Sequence, residues 1–345
     1  MATIAGSQFL ATTPGLPVNV VETSTGLGLP PTVPGAFNLE VYTGPAGGAP
    51  SSPGGGNQGF AILGPGGFTI DLVSGTYAIT DNGTGGETLI ASGTGETIQG
   101  GAGFSNLFLD GTGDTAVGGA GGNFIDVGGS GNTAIGGSGL DVINVNTSGN
   151  IVVGGVGPDI ITAIGDNESI TGGTGGDTIT AVGNTDSITG GSGSNLITAV
   201  GNTDSITGGS GSNLITAVGT GDTVNGGSGV DTVGLFGNND VFNGGTGAAS
   251  IMSTGSNDTV NAGAGNLSIQ AFGSGFQFND DAANTYADTV VGFSQAAGDH
   301  IHLAAGDTVA ATALQPNGQD TLLTLNDGST ILLKGITSLN NGFFN

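Results

Sequence analysis

Five aspartates recur at a fixed interval of 18 residues: Asp186, Asp204, Asp222, Asp240 and Asp258, with Glu168 one step before them. A second series at the same interval holds Asp141, Asp159 and Asp177, then Asn195, Asn213 and Asp231. An acid repeated so regularly is a poor candidate for a unique catalytic base. It reads as a column, and a column of carboxylates has a chemistry of its own. If each repeat is one turn of stacked strands, neighbouring acids sit about 4.8 Å apart. Each like-charged pair then costs about 1 kcal/mol in water and about 3–4 kcal/mol at an effective dielectric near 20. The carboxylates must splay into solvent, hold their protons to higher pH, or share a divalent cation. Ca²⁺ accepts about six to eight oxygens and takes carbonyls as readily as carboxylates. Glycine-rich turns offer such carbonyls, so Asp141, Asp159, Asp177, Asp231, Asp186, Asp204, Asp222, Asp240 and Asp258 are candidate calcium ligands. Asp and Asn also suit tight turns with no metal at all, since they tolerate left-handed backbone and bond locally. Both readings stay open at this level.

The elements that would position these acids follow from the same period. Residues 80–277 keep the 18-residue register for eleven turns without an insertion. Ile179–Gly191 recurs letter for letter as Ile197–Gly209. Each period has two halves, as in Gly172–Thr180 (GGTGGDTIT) and Ala181–Thr189 (AVGNTDSIT). Each half is a turn followed by a short polar–apolar–polar strand, the period-2 signal of a half-buried strand. Helix is excluded, because glycine at this density costs too much. One apolar column runs Ile125, Ile143, Ile161, Ile179, Ile197, Ile215, Val233, Ile251 and Ile269. The other runs Val152, Ile170, Ile188, Ile206, Val224, Phe242 and Val260. No single turn can bury its own Ile, but stacked turns make a continuous thin core. The expected fold is therefore all-β: a β-solenoid, or parallel β-roll, of 18-residue turns, about 50 Å long.

The flanks differ. Residues 1–79 hold nine of the eleven prolines and read as an irregular Pro/Gly-rich arm. Val18–Val21 and Phe37–Tyr42 are expected as isolated strands, Gly44–Gly59 as a linker, and Phe68–Ile79 as a strand leading into the repeat. Residues 278–345 leave the register and read as a β-rich C-terminal cap. Within it, Thr321–Leu325 and Thr330–Lys334 flank Asn-Asp-Gly-Ser and predict a hairpin. A cap of this kind would cover the exposed last strand of a solenoid. His300 and His302, the only histidines, fall on one face of a short strand, where a metal site would still need a third ligand.

Composition narrows the function. Against 27 Asp and Glu stands one basic residue, Lys334, for a formal charge of −26. Such a chain cannot neutralise nucleic-acid phosphates, and an anionic membrane surface repels it. No apolar run is long enough to span a bilayer. With no Cys there is no disulfide or thiol chemistry. No nucleophile elbow, H-E-x-x-H or Walker motif occurs, and the expectation is that the protein is not an enzyme. Met1–Gly6 has neither a basic nor an apolar region of the secretory type. If the chain is exported, the expectation is a route that ignores the N-terminus.

Four segments fit the nonapeptide GGxGxDxUx in full: Gly136–Asn144, Gly154–Thr162, Gly172–Thr180 and Gly226–Gly234. In this the chain resembles the RTX calcium-binding β-roll proteins. Asp288–Phe293 (DTVVGF) and Gly298–Leu303 (GDHIHL) are similar to the C-terminal region of RTX proteins exported by type I secretion. The resemblance covers residues 80–345. It implies Ca²⁺ in the turns, an uncleaved C-terminal secretion signal and an extracellular or cell-surface location. The second half of each turn departs from the pattern: it keeps the acid and lacks the glycine pair, as in Val182–Asp186.

The functional expectation is then a secreted structural protein, a calcium-stabilised building block of a surface layer, matrix or filament. It would form homo-oligomers or filaments and could anchor to a cell surface through residues 1–79. The alternatives are an adhesin, an ice-binding protein using the regular Thr171, Thr180, Thr189, Thr198, Thr207 and Thr216, or a passive secreted calcium-binding protein.

Overall fold

The computed structural model describes residues 18–23, 37–42, 59–62, 69–72, 78–81, 86–281, 286–339 and 342–344. Strands make up nearly all regular structure there, apart from one 3-10 turn at Gln295–Ala297. The chain is all-β and coils as a β-solenoid. It divides into two units, residues 1–160 and 161–345.

In the second unit each coil contributes one strand to each of two parallel sheets. One sheet carries Ser169–Thr174, Ser187–Ser192, Ser205–Gly209 and Thr223–Gly227, and the other carries Thr178–Val182, Leu196–Val200 and Leu214–Thr220. Strand pairing joins residues one period apart: Ile170 to Ile188 to Ile206 in the first sheet, and Ile179 to Ile197 to Ile215 in the second. Alternation along each strand sends these Ile inward and their Ser, Thr and Leu neighbours outward. Every member of the two expected apolar columns is buried, in both units. Small residues complete the interior, notably Ala163, Ala181, Ala199 and Ala217.

The glycine pairs are a backbone requirement. Gly191 has φ near 100°, in the left-handed region, and a Cβ there would collide with the Gly173 carbonyl oxygen one coil away. Only glycine turns the chain so close to its neighbour.

Past residue 277 the parallel coiling continues with wider spacing. Ala287–Val291 pairs with Leu267–Ser274, and His300–His302 pairs with Gln277–Asn279. Thr330–Lys334 then pairs in parallel with Ala287–Val291, and the expected hairpin joins it to Thr321–Leu325. Val309–Leu314 adds a further antiparallel strand. The end is held by stacked Phe293 and Phe343, with ring centroids 5.6 Å apart.

In the first unit the strands at Val18–Thr23 and Phe37–Tyr42 are not isolated, as expected from sequence, but pair in parallel. Phe37–Tyr42 pairs with Gly59–Ile62, which pairs with Ala78–Asp81. The stretch expected as one strand at 68–79 is two, Thr69–Leu72 and Ala78–Asp81, and they belong to different sheets. Of the expected linker only Gly59 lies within the described residues.

Replacing Gly191 by Ala is expected to destabilise the fold by at least about 2 kcal/mol, since it adds both left-handed strain and overlap with backbone. Ile197→Ala should cost about 2–5 kcal/mol through lost burial and a cavity. Chemical denaturation of each variant beside the parent measures both.

Candidate functional site

The candidate acids stand at the entrance of each strand and point inward. Asp177 precedes Thr178–Val182, and Asp186 precedes Ser187–Ser192. All nine candidates are buried. This overturns the picture of solvated turn carboxylates. Fifteen of the chain's acidic residues are buried among the described residues. Between positions 161 and 279 every Asp and Glu except Asp166 is buried.

A single hydrogen bond explains the inward placement. The backbone N–H of each column residue donates to the carboxylate of the residue one coil later. In the second column Glu168 donates to Asp186 Oδ1 at 2.9 Å, Asp186 to Asp204 at 2.9 Å, and Asp204 to Asp222 at 3.0 Å. Asp222 donates to Asp240 at 3.0 Å and Asp240 to Asp258 at 3.1 Å. The first column repeats this, with Asp141 donating to Asp159 at 2.9 Å and Asn213 to Asp231 at 2.9 Å. At this point of the coil the chain turns, and the side-chain oxygen accepts in place of a backbone carbonyl. Where the column residue is Ala249, Asp231 N–H goes instead to the Ala248 carbonyl at 3.0 Å.

The second carboxylate oxygen is the unusual part. Oδ2 of Asp141, Asp186, Asp204, Asp222 and Asp240 is buried without a hydrogen-bond partner. Asparagine at equivalent positions shows what lines the site: in the 18-residue register of Asp186, Asn132 Nδ2 donates to the Gly111 carbonyl at 3.2 Å and Asn150 Nδ2 to the Thr147 carbonyl at 2.6 Å, and the first column is similar. Asn213 Nδ2 donates to Asp231 Oδ1 at 2.9 Å and to the Gly211 carbonyl at 2.8 Å. Asn123 Nδ2 reaches the Gly121 carbonyl at 2.6 Å and Asp141 Oδ1 at 2.9 Å. The surroundings suit a donor or a cation, and an anionic oxygen there faces other oxygens. Asp258 finds a protein donor for this oxygen, the Ser253 hydroxyl at 2.6 Å, and Asp299 finds one in Ser294 N–H at 2.7 Å.

Burial accordingly pushes the carboxyls of Asp141, Asp186, Asp222 and Asp258 above the usual range, against the backbone and side-chain donors that lower them. Asp204 and Asp240 rise to about 6, with desolvation first and the column neighbours adding to it. Their acidic neighbours are Asp166, Asp186 and Asp222 for Asp204, and Asp222 and Asp258 for Asp240.

Several members of these columns were not singled out from sequence. Glu96, Asp114, Asn132 and Asn150 form a ladder of the same kind within the first unit, with Glu96 N–H donating to Asp114 Oδ1 at 2.8 Å. Asp288 accepts from Leu267 N–H at 2.7 Å and Asp299 from Phe276 N–H at 2.9 Å, so both continue the ladders into the C-terminal segment. Their spacings are 21 and 23 residues, which hid them from an 18-residue search. The signal was local: Asp288-Thr289-Val290 has the same Asp-Thr-apolar order as Asp177-Thr178-Ile179. Burial, with Asp280 nearby, pushes Asp288 up to about 7.

No group of three or more His, Asp or Glu converges as a metal cage among the described residues. A cation on these columns would therefore take one or two carboxylates and fill the rest of its shell with turn carbonyls, a donor set that suits Ca²⁺. The buried Oδ2 atoms and the carbonyls around the asparagine amides fit that requirement. His300 and His302 lie half-buried on one face of their strand, as expected, and join no such cluster. The six threonines do not share a face. Thr171, Thr189 and Thr207 lie on one sheet, and Thr180, Thr198 and Thr216 on the other.

The raised carboxyls set a sign for pH dependence. The folded state holds these protons more tightly than the unfolded chain, so stability falls as pH rises from about 4 to about 7. Metal-free protein should melt about 5–10 °C higher at pH 5 than at pH 8. Asp204→Asn keeps the acceptor and removes the charge, and should stabilise metal-free protein at pH 8. Asp204→Ala removes the acceptor of Asp186 N–H, which must then turn to a backbone carbonyl as Asp231 N–H does beside Ala249, and should cost about 1 kcal/mol. Thermal melts of the three proteins across pH check this.

No protein-family model matches the chain, and a comparison with curated proteins finds no match.

Proposed function

We propose that this chain is a secreted structural protein, a β-solenoid building block of an extracellular layer, matrix or filament, stabilised by Ca²⁺ bound along its carboxylate columns. The observation that carries this reading is the set of buried Oδ2 atoms on Asp141, Asp186, Asp204, Asp222 and Asp240, which face an interior with no cationic side chain. Lys334, the one basic residue, is exposed at the end of its strand. Neutralisation has to come from outside the chain, as protons or as a cation. Millimolar calcium, at which extracellular modules of this type bind, supplies the cation, and a calcium-poor compartment withholds it. The GGxGxDxUx copies and the type I-like tail support the same direction. Ion binding to the folded state alone then contributes folding free energy.

A structural role suits the remainder. Most of the buried acids are committed to the turns of the coil; outside the columns Asp280 lies near Asp307 and Asp327, and burial pushes it up to about 6. The six threonines divide three to a sheet, which leaves the ice-binding alternative a shorter array on either face than the sequence series offered.

Sedimentation velocity in EDTA and in millimolar calcium tests this. The expected result is a marginally folded, more slowly sedimenting monomer in EDTA that becomes fully compact, and then assembles with rising protein concentration, in calcium. A profile that is compact and identical in both would withdraw calcium from the account. Compact monomers at every concentration would withdraw the building-block role.

A further inference from the structure

The second unit has two outward sheet faces, and they are unlike. The face built on Ser187–Ser192 and Ser205–Gly209 shows Ser, Thr and Asn, and its amides are paired among themselves. Asn243 Nδ2 donates to Asn225 at 2.9 Å, Asn261 to Asn243 at 2.7 Å, and Asn279 to Asn261. The opposite face shows a central row of Thr180, Thr198 and Thr216 with an apolar row on one side and a pair of leucines, flanked by Thr178 and Thr232, on the other. The apolar row runs Ile164, Val182, Val200, Val218 and Phe236, one residue per coil; Ile164 is 50% exposed and Val200 38%. On the other side Leu196 and Leu214 stand 43% and 48% exposed, bordering a shallow groove with Val230 and Thr232.

We propose that this apolar face is a self-association surface and that its occupant is the same face of a second copy of this chain. The inference rests on the building-block reading and adds the surface through which copies meet. Three observations favour a second copy. The face holds no charged side chain from Ile164 to Phe272, so two copies can meet there without like-charge repulsion. The ridges repeat at the coil spacing of about 4.8 Å, a pitch that a second solenoid reproduces and an unrelated globular surface does not. The size is also adequate for a weak pair. Strands from Ile164 to Phe272 present an area of about 17 by 34 Å. Two copies would bury about 1,100 Å², at the lower end for a specific interface.

The test uses full-length protein in millimolar calcium, by sedimentation velocity over a range of concentrations. A variant carrying Val182→Thr, Leu196→Thr, Val200→Thr and Leu214→Thr keeps the fold, because threonine already stands at the matching positions Thr178, Thr232 and Thr254. It should self-associate at least about tenfold more weakly than the parent, with unchanged circular dichroism. Val200→Glu with Leu214→Glu should abolish association, whereas Thr189→Glu with Thr207→Glu on the opposite face should not. If the folded threonine and glutamate variants assemble as the parent does, this face is the wrong one and the building-block reading stands. If the parent itself stays monomeric throughout, both fall.

Discussion

The fold depends on the hydrogen bond from a backbone N–H to the carboxyl or amide oxygen of the residue one coil later. A solenoid turns sharply twice in each period; the turns keep backbone bonds to the next coil, but at the residue that enters each strand the carbonyl ladder is interrupted. An inward Asp or Asn replaces the missing carbonyl, as Asp204 does for Asp186 N–H at 2.9 Å. An unmet N–H buried at every coil would cost about 1–3 kcal/mol each time. The requirement is for an oxygen, not for a charge, which is why Asn195 and Asn213 can share a column with Asp177 and Asp231.

Using Asp for this task brings an electrostatic burden that Asn would avoid. Asparagine offers its amide to nearby carbonyls, and aspartate offers a second oxygen with nothing to receive. The formal charge of −26 is thus to a large extent an interior charge. It does little to keep copies of the protein apart, and it makes the folded state hold protons more tightly. A purely turn-forming role would be served better by Asn at every position. The retention of Asp at Asp186, Asp204, Asp222, Asp240 and Asp258 in unbroken succession is what a cation-dependent fold would need. The same inward burial leaves the outer sheets of the second unit almost free of charge, so association through an apolar face meets little opposition.

Much of this was legible in the sequence, because a repeat makes each position its own control. The 18-residue period, the two apolar columns and the terminal hairpin all follow from alternation and spacing, and the structure has them. The direction of the acids was not legible. Turn carboxylates are solvated in most proteins, and only stacking shows that these must serve the neighbouring coil's N–H. Spacing also misled at the end: Asp288 and Asp299 hold ladder positions at intervals of 21 and 23 residues. The threonines read as one regular series because a nine-residue half-period places Thr171 and Thr180 on opposite sheets. In the N-terminal region, pairing of Val18–Thr23 with Phe37–Tyr42 is long-range, and no local pattern announces it.

The central claim is that the column carboxyls are neutralised within the folded protein. Carbon-13 NMR titration of the aspartate side-chain carboxyls, in folded metal-free protein and again with calcium, tests it directly. The account predicts a group of aspartates in the metal-free protein that titrate near pH 6 or above, Asp204 and Asp240 among them, and that lose this behaviour when calcium is added. If every aspartate of the folded metal-free protein titrates near pH 4, the carboxyls are not confined as described and the account fails.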